Sequence, residues 1–111
     1  MQLINFHAGP GAGKSVIAAY IYSKMKMLGI NCELVTEYAK DETWNENKRI
    51  LKYQPKIAGE QAWRVERLLG KVDIVITDSP ILLASVYASI DTPKSFMQYL
   101  LDEHHRFNSA N

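Results

Sequence analysis

Ala8-Gly9-Pro10-Gly11-Ala12-Gly13-Lys14-Ser15 is the stretch on which the reading of this chain turns. It follows the short apolar segment Leu3-Ile4-Asn5-Phe6 and precedes a helical pattern, so it lies where a strand gives way to a helix. Glycines at 9, 11 and 13 allow the backbone to turn its N–H groups inward around phosphate oxygens. The helix beginning near Lys14 adds its positive N-terminal end to the same spot. Lys14 is then placed to reach the outer phosphates, and the Ser15 hydroxyl to ligate magnesium. The residues expected to hold a nucleotide are Gly9, Pro10, Gly11, Ala12, Gly13, Lys14, Ser15 and Val16. The motif usually opens on Gly, where this chain has Ala8, while Gly13, Lys14 and Ser15 keep their places. Gly-rich turns also close ordinary strand-to-helix connections; the Lys-Ser pair in register sets this one apart.

Outward from the loop, the chain alternates strands and helices. Leu3 to His7 reads as the first strand and Ser15 to Leu28 as a helix, with Val16, Ile17, Tyr20, Ile21 and Leu28 among its apolar positions and Gly29 closing it. Cys32 to Thr36 is a second strand ending at Glu37, and Asp41 to Lys52 is polar, helix-forming sequence. Pro55 opens a third helix whose apolar face runs from Ile57 to Leu69, with Arg64, Glu66 and Arg67 toward solvent and Gly70 ending it. Trp63 within it reads as a partly buried anchor. Val72 to Ile76 is almost continuously apolar, as in a parallel strand covered on both faces, and Asp78 sits at its carboxyl end. Short helices over Ile81 to Ser89 and from Pro93 to about Phe107 follow, Thr92 being the candidate cap of the latter. The fold class expected is α/β with a parallel sheet and right-handed crossovers, its ligands at the carboxyl ends of the strands.

The chain has 111 residues, 47% hydrophobic and 23% charged, which is a globular composition sized for one domain spanning residues 1–111. No basic leader or membrane-length apolar run is visible, so a soluble cytoplasmic protein is expected. A single cysteine, Cys32, excludes an internal disulfide, and the neighbours His104 and His105 lack the partners of a zinc site. Net charge is +1, yet residues 48–71 hold seven basic side chains against two acidic ones, a local excess of five that leaves −4 elsewhere. Two solvated helix faces account for that excess; a track for a polyanion such as DNA is the other reading.

Thr77-Asp78-Ser79 after an apolar strand is similar to the second magnesium-handling motif of the P-loop NTPases, a carboxylate that holds the metal directly or through water. The alternative for Asp78 is a strand-end cap of the next helix. An ATPase that activates water usually has Glu directly after this Asp, where this chain has Ser79 and Pro80, and Gly9 stands where partitioning-type ATPases would show Lys. Both departures point to transfer to a hydroxyl. The segment Glu37-Tyr38-Ala39-Lys40 after the second strand then resembles the nucleoside and nucleotide kinase branch of the family. Closest in pattern are the nicotinamide riboside kinase domain of NAD-salvage proteins and small phage kinases, with Lys40 where their Glu-Tyr-x-Arg pattern ends in Arg. The resemblance extends over roughly residues 2 to 90, including Lys56-Ile57-Ala58-Gly59-Glu60-Gln61.

What the resemblance implies is a three-layer P-loop kinase that uses ATP and magnesium and passes the terminal phosphoryl group to a nucleoside, a nucleotide or a modified base in DNA. Its catalytic residues would be Lys14, Glu37 and Asp78, with magnesium at Ser15 and Asp78 and Glu37 acting as base toward the acceptor or as a ribose ligand. A solvated strand-end charge is the alternative for Glu37. Trp44, Tyr53, Gln54 and Gln61 fall where such kinases bind the acceptor, by stacking and amide hydrogen bonds, although aromatic residues of this kind also serve as ordinary packing. These kinases continue past the third strand with a cationic lid and further strands, of which Lys94 and Arg106 would be early lid residues; for Arg106, beside Phe107 at a helix end, a helix-terminus charge is the equal alternative. The expectation is therefore a domain incomplete at its C-terminus, its first strand an exposed edge, with self-association or a completing partner. An ATPase or nucleotide switch completed by a partner chain is the second function considered.

Overall fold

The computed structural model describes residues 1–7 and 13–109. The expected nucleotide ligands Gly9, Pro10, Gly11 and Ala12 lie outside the described residues. Three parallel strands, β1 (Gln2–Asn5), β2 (Cys32–Val35) and β3 (Ile74–Thr77), form one sheet in the order β1-β3-β2. β3 is central, and β1 stands at one end, as expected. The register sets Asn5 and Val35 against Thr77, so all three carboxyl ends meet on one rim. Beyond β1 the Phe6 amide still donates to Thr77 O at 2.9 Å, which ties the entry to residues 8–12 to the end of β3.

α1 (Lys14–Met27) joins β1 to β2, and α2 (Tyr38–Trp44), α3 (Lys48–Leu51) and α4 (Gln54–Glu66) lead from β2 back to β3. A 3-10 turn (Ile81–Leu83), α5 (Ala84–Tyr87) and α6 (Ser95–Ser109) follow. Side chains alternate along a strand. Val35 and Val75 share a cluster with Ala62 and Val65 of α4 and Phe107 of α6, while Ile74, Ile76 and Cys32 take the opposite side of their strands. α1 lies against β2 and β3. The two crossovers run in opposite directions across the sheet, and with a common hand that sends their helices to opposite faces. A second cluster, Ala58, Ala84, Phe96 and Leu100, joins α4, α5 and α6.

Gly29 and Gly70 end their helical segments in the left-handed region, at φ +79° and +75°, where a side chain would be strained. The segment expected as one helix from 41 to 52 is instead broken into α2 and α3. Glu46 takes φ +56° and the Asn47 side chain accepts from the Ile50 amide, so the Asn-Glu-Asn run caps a new helix and does not continue the old one. Thr92 does not cap α6: its hydroxyl accepts from the Ser89 amide at 3.1 Å and closes the turn before. α1 also packs differently from its pattern. Ala18 is buried and Ile21 and Met25 are half-buried, while Val16, Ile17, Tyr20 and Leu28 are exposed, because a sheet of three short strands is too narrow to cover more of the helix.

Candidate functional site

At the rim where the strands end, Gly13 (φ +79°) turns the chain into α1, so that Lys14 and Ser15 occupy its first turn. Asp78, directly after β3, is 5% exposed. The Ser15 hydroxyl donates to Asp78 Oδ2, bringing together two residues 63 positions apart. Asp78 Oδ1 is buried and has no hydrogen-bond partner among the described residues. Lys40, from the first turn of α2, donates from Nζ to Ser15 Oγ at 3.2 Å.

A hydroxyl and a carboxylate with one oxygen unpartnered make an all-oxygen donor pair suited to a hard divalent cation. The chemistry of this pair is compatible with magnesium, which Ser15 and Asp78 would hold with water or phosphate oxygens in the remaining positions. No group of three His, Cys, Asp or Glu side chains is gathered for a metal among the described residues. His104 and His105 stack edge-on along α6, and burial together with the charges of His105 and His7 holds His104 below the usual histidine range.

Beside this pair a cleft of about 900 Å³ opens, lined by Lys14, Glu37 and Ser79 at one end and by α3, α4, α5 and the segment after α5. Its walls are largely apolar, with Ile57, Ile81 and Leu83, and two tyrosines, Tyr53 and Tyr87, remain 60% and 59% exposed. Arg49, Lys52 and Asp91 supply charge around the same cleft. Lys14 and Glu37 thus share a cavity although 23 positions separate them in the chain. Val16 does not line it and is 74% exposed.

Glu37 occupies the N-cap position of α2, yet its side chain makes no capping bond. The free amide of the first turn is served from another element: Gln61 of α4 accepts from Tyr38 N at 2.9 Å and donates to Thr36 O at 3.1 Å. Arg64 adds donations to Thr36 O and Oγ1, both at 3.2 Å, pairs with Asp41 and lies over the Tyr38 ring. Two side chains of α4 thereby fix the segment 36–41, and Glu37, whose carboxylate makes no hydrogen bond among the described residues, lines the cleft. The Tyr38 phenol is pushed up by burial and then by Glu42, which keeps it neutral.

These contacts correct the expectations for Arg64, Trp63 and Trp44. Arg64 turns inward to the end of β2 and is not a solvated charge, while Gln61 holds backbone with its amide and also lines the cleft. Trp63 is 57% exposed and does not anchor α4, which packs through Ile57, Ala58, Ala62 and Val65. Trp44 is exposed and lies outside the cleft, whereas Tyr53 and Gln54 line it as expected. Arg106 pairs with Glu66 and Glu103, tying α6 to α4. The cleft residues Tyr87 and Asp91 had no sequence signal, and Arg49 stood out only as part of the basic stretch 48–71, since their shared position depends on how α3 and α5 fold back on α4.

What the fold and site define is an α/β chain with a parallel sheet whose strand ends gather a lysine, a serine and two carboxylates beside one cleft. Compared with known proteins, the chain matches no family model, no curated protein and no solved structure. No helix among the described residues is long and apolar enough to cross a membrane.

Proposed function

We propose that this chain is a P-loop kinase with the family's three-layer arrangement, transferring the terminal phosphoryl group of ATP to a hydroxyl of a nucleoside, a nucleotide or a modified base in DNA. The observation that carries the reading is the shared cleft: Lys14 of the phosphate-loop sequence and the uncommitted Glu37 line one cavity, next to the Ser15–Asp78 pair. A cleft of this volume with apolar walls suits an organic acceptor. That favours a kinase over an enzyme that passes phosphate to water, which needs no such pocket. Tyr53 and Tyr87 offer aromatic faces for a base.

In this reading residues 9–13 and Lys14 hold the phosphates, and Ser15 and Asp78 hold magnesium. Bound there, the metal neutralises charge on the phosphate oxygens. Glu37 accepts the proton of the acceptor hydroxyl as the new oxygen–phosphorus bond forms. The bond from that phosphorus to the bridging oxygen breaks, and its electron pair leaves with ADP. Alignment in the cleft and fixed positive charge supply most of the acceleration. Gln61 and Arg64 act as positioning residues, since they hold the strand end that carries Glu37.

The test is incubation with magnesium and ATP labelled on its terminal phosphate, with nucleosides, nucleotides and an oligonucleotide offered as acceptors and Lys14→Ala alongside. Label in an acceptor, lost in the variant, is the expected result. Label released only as phosphate would instead favour an ATPase or switch module, and label remaining in ATP would refute the kinase reading. Oligonucleotide binding that falls steeply with salt would support DNA as an acceptor, and no binding at low salt would remove it.

A further inference from the structure

Lys40 is the one basic side chain that reaches the Ser15–Asp78 pair in the described structure. A serine hydroxyl has one proton and two lone pairs. In Ser15 the proton goes to Asp78 Oδ2 and a lone pair to the Lys40 ammonium, at 3.2 Å. The second lone pair stays open to a metal, but an ammonium and a divalent cation repel each other across a single oxygen, so the two compete for Ser15 by charge. Lys40 occupies the position of a cation without being a permanent part of the site. It is exposed, sits on a flexible four-carbon stem, and forms no ion pair among the described residues. The helix it grows from is held by Gln61 and Arg64, so the ammonium can swing while its Cα stays.

We propose that Lys40 is a placeholder cation: it holds the Ser15 hydroxyl while the site is without nucleotide, and moves onto the terminal phosphate when magnesium and ATP enter. The inference rests on the nucleotide reading above and adds to it a residue that tells ATP from ADP. The terminal phosphate is the anion brought nearest to the displaced ammonium, because its oxygens would share the metal with Ser15. ADP displaces Lys40 equally but offers it no terminal phosphate in return.

Lys40→Met and Lys40→Arg separate these contributions, and Lys40 is exposed, so both variants should keep the fold, checked by far-ultraviolet circular dichroism. The measurement is displacement of a fluorescent nucleotide by ATP and by ADP across a magnesium titration. For Lys40→Met the expected result has two parts. ATP affinity falls about tenfold or more while ADP affinity stays within about threefold. With ADP, the magnesium concentration at half effect falls several-fold, because no ammonium competes. Lys40→Arg should restore the preference for ATP. An ATP-to-ADP affinity ratio in Lys40→Met within twofold of the unaltered protein would overturn the inference while leaving the nucleotide reading in place. If the unaltered, folded protein binds neither nucleotide, the phosphate-loop reading fails and the role of Lys40 with it.

Discussion

Replacing Asp78 by Asn should make the protein more stable and less responsive to magnesium. The side chain is 5% exposed and its Oδ1 has no partner among the described residues, and an unsatisfied buried acceptor costs about 1–3 kcal/mol, more when charged. Asn keeps the shape and the oxygen that accepts from Ser15 and removes the charge, although its NH2 then stands where Oδ1 had no partner and keeps part of the cost. Part of the gain is offset, because the Lys40 ammonium that reaches Ser15 loses a nearby carboxylate. A net gain of about 1 kcal/mol is therefore expected, which for a chain near 100 residues corresponds to roughly 4–8 °C in melting temperature. Thermal melts followed by circular dichroism, without nucleotide, would read this directly. ATP at a hundred times its dissociation constant should add about 2.7 kcal/mol to the unaltered protein. In Asp78→Asn the magnesium-dependent part of that gain should vanish, so that melts with magnesium and with chelator coincide. A variant that melts lower than the parent and keeps its magnesium-dependent gain would refute the reasoning, and would mark Asp78 as a structural strand-end group.

Three further outcomes follow from the packing. Gln61→Leu should destabilise by about 2 kcal/mol in urea unfolding, because the Tyr38 amide loses its acceptor inside the structure, and it should raise KM for the acceptor more than for ATP as the Glu37 segment loosens. Phe107→Ala, at a side chain 1% exposed among Val35, Ala62, Val65 and Val75, should cost about 3–5 kcal/mol, enough to lower the urea midpoint sharply. His104 is held below its unfolded value of 6.5 by burial and by neighbouring histidine charge, so the unfolded chain takes up its proton first. Its contribution to stability is present above pH 6.5 and is lost as the pH falls below it, and His104→Gln should flatten the decline between about pH 7 and pH 5.

Much of the architecture can be read along the chain because it depends on local chemistry. The apolar run at Val72–Ile76 becomes the central strand, and Gly29 and Gly70 adopt the left-handed geometry that closes helical segments. Ser15 and Asp78 meet because both follow strands of one parallel sheet, a consequence of topology that the strand-helix alternation already contains. What could not be read depends on partners distant in sequence. The positioning role of Gln61 is one case, because nothing local reveals that Tyr38 and Thr36 lie against it. Arg64 looked solvated for the same reason, its partners being 23 and 28 positions away. In α1 the apolar spacing suggested more burial than three short strands can provide, since periodicity reports a preference and not the area available to satisfy it.

The strand order has a consequence for amide hydrogen exchange. β3 is bonded on both sides, so its amides should exchange only when much of the domain opens, whereas β1 is bonded on one side among the described residues and should open at lower free energy. Asp78 is therefore carried by the slowest-exchanging segment of the sheet and the glycine-rich loop by a faster one. The two are linked through the Phe6 amide on Thr77 O. A ligand that bridges the loop and Asp78 would spread the slow exchange of β3 into β1, turning two units of local stability into one.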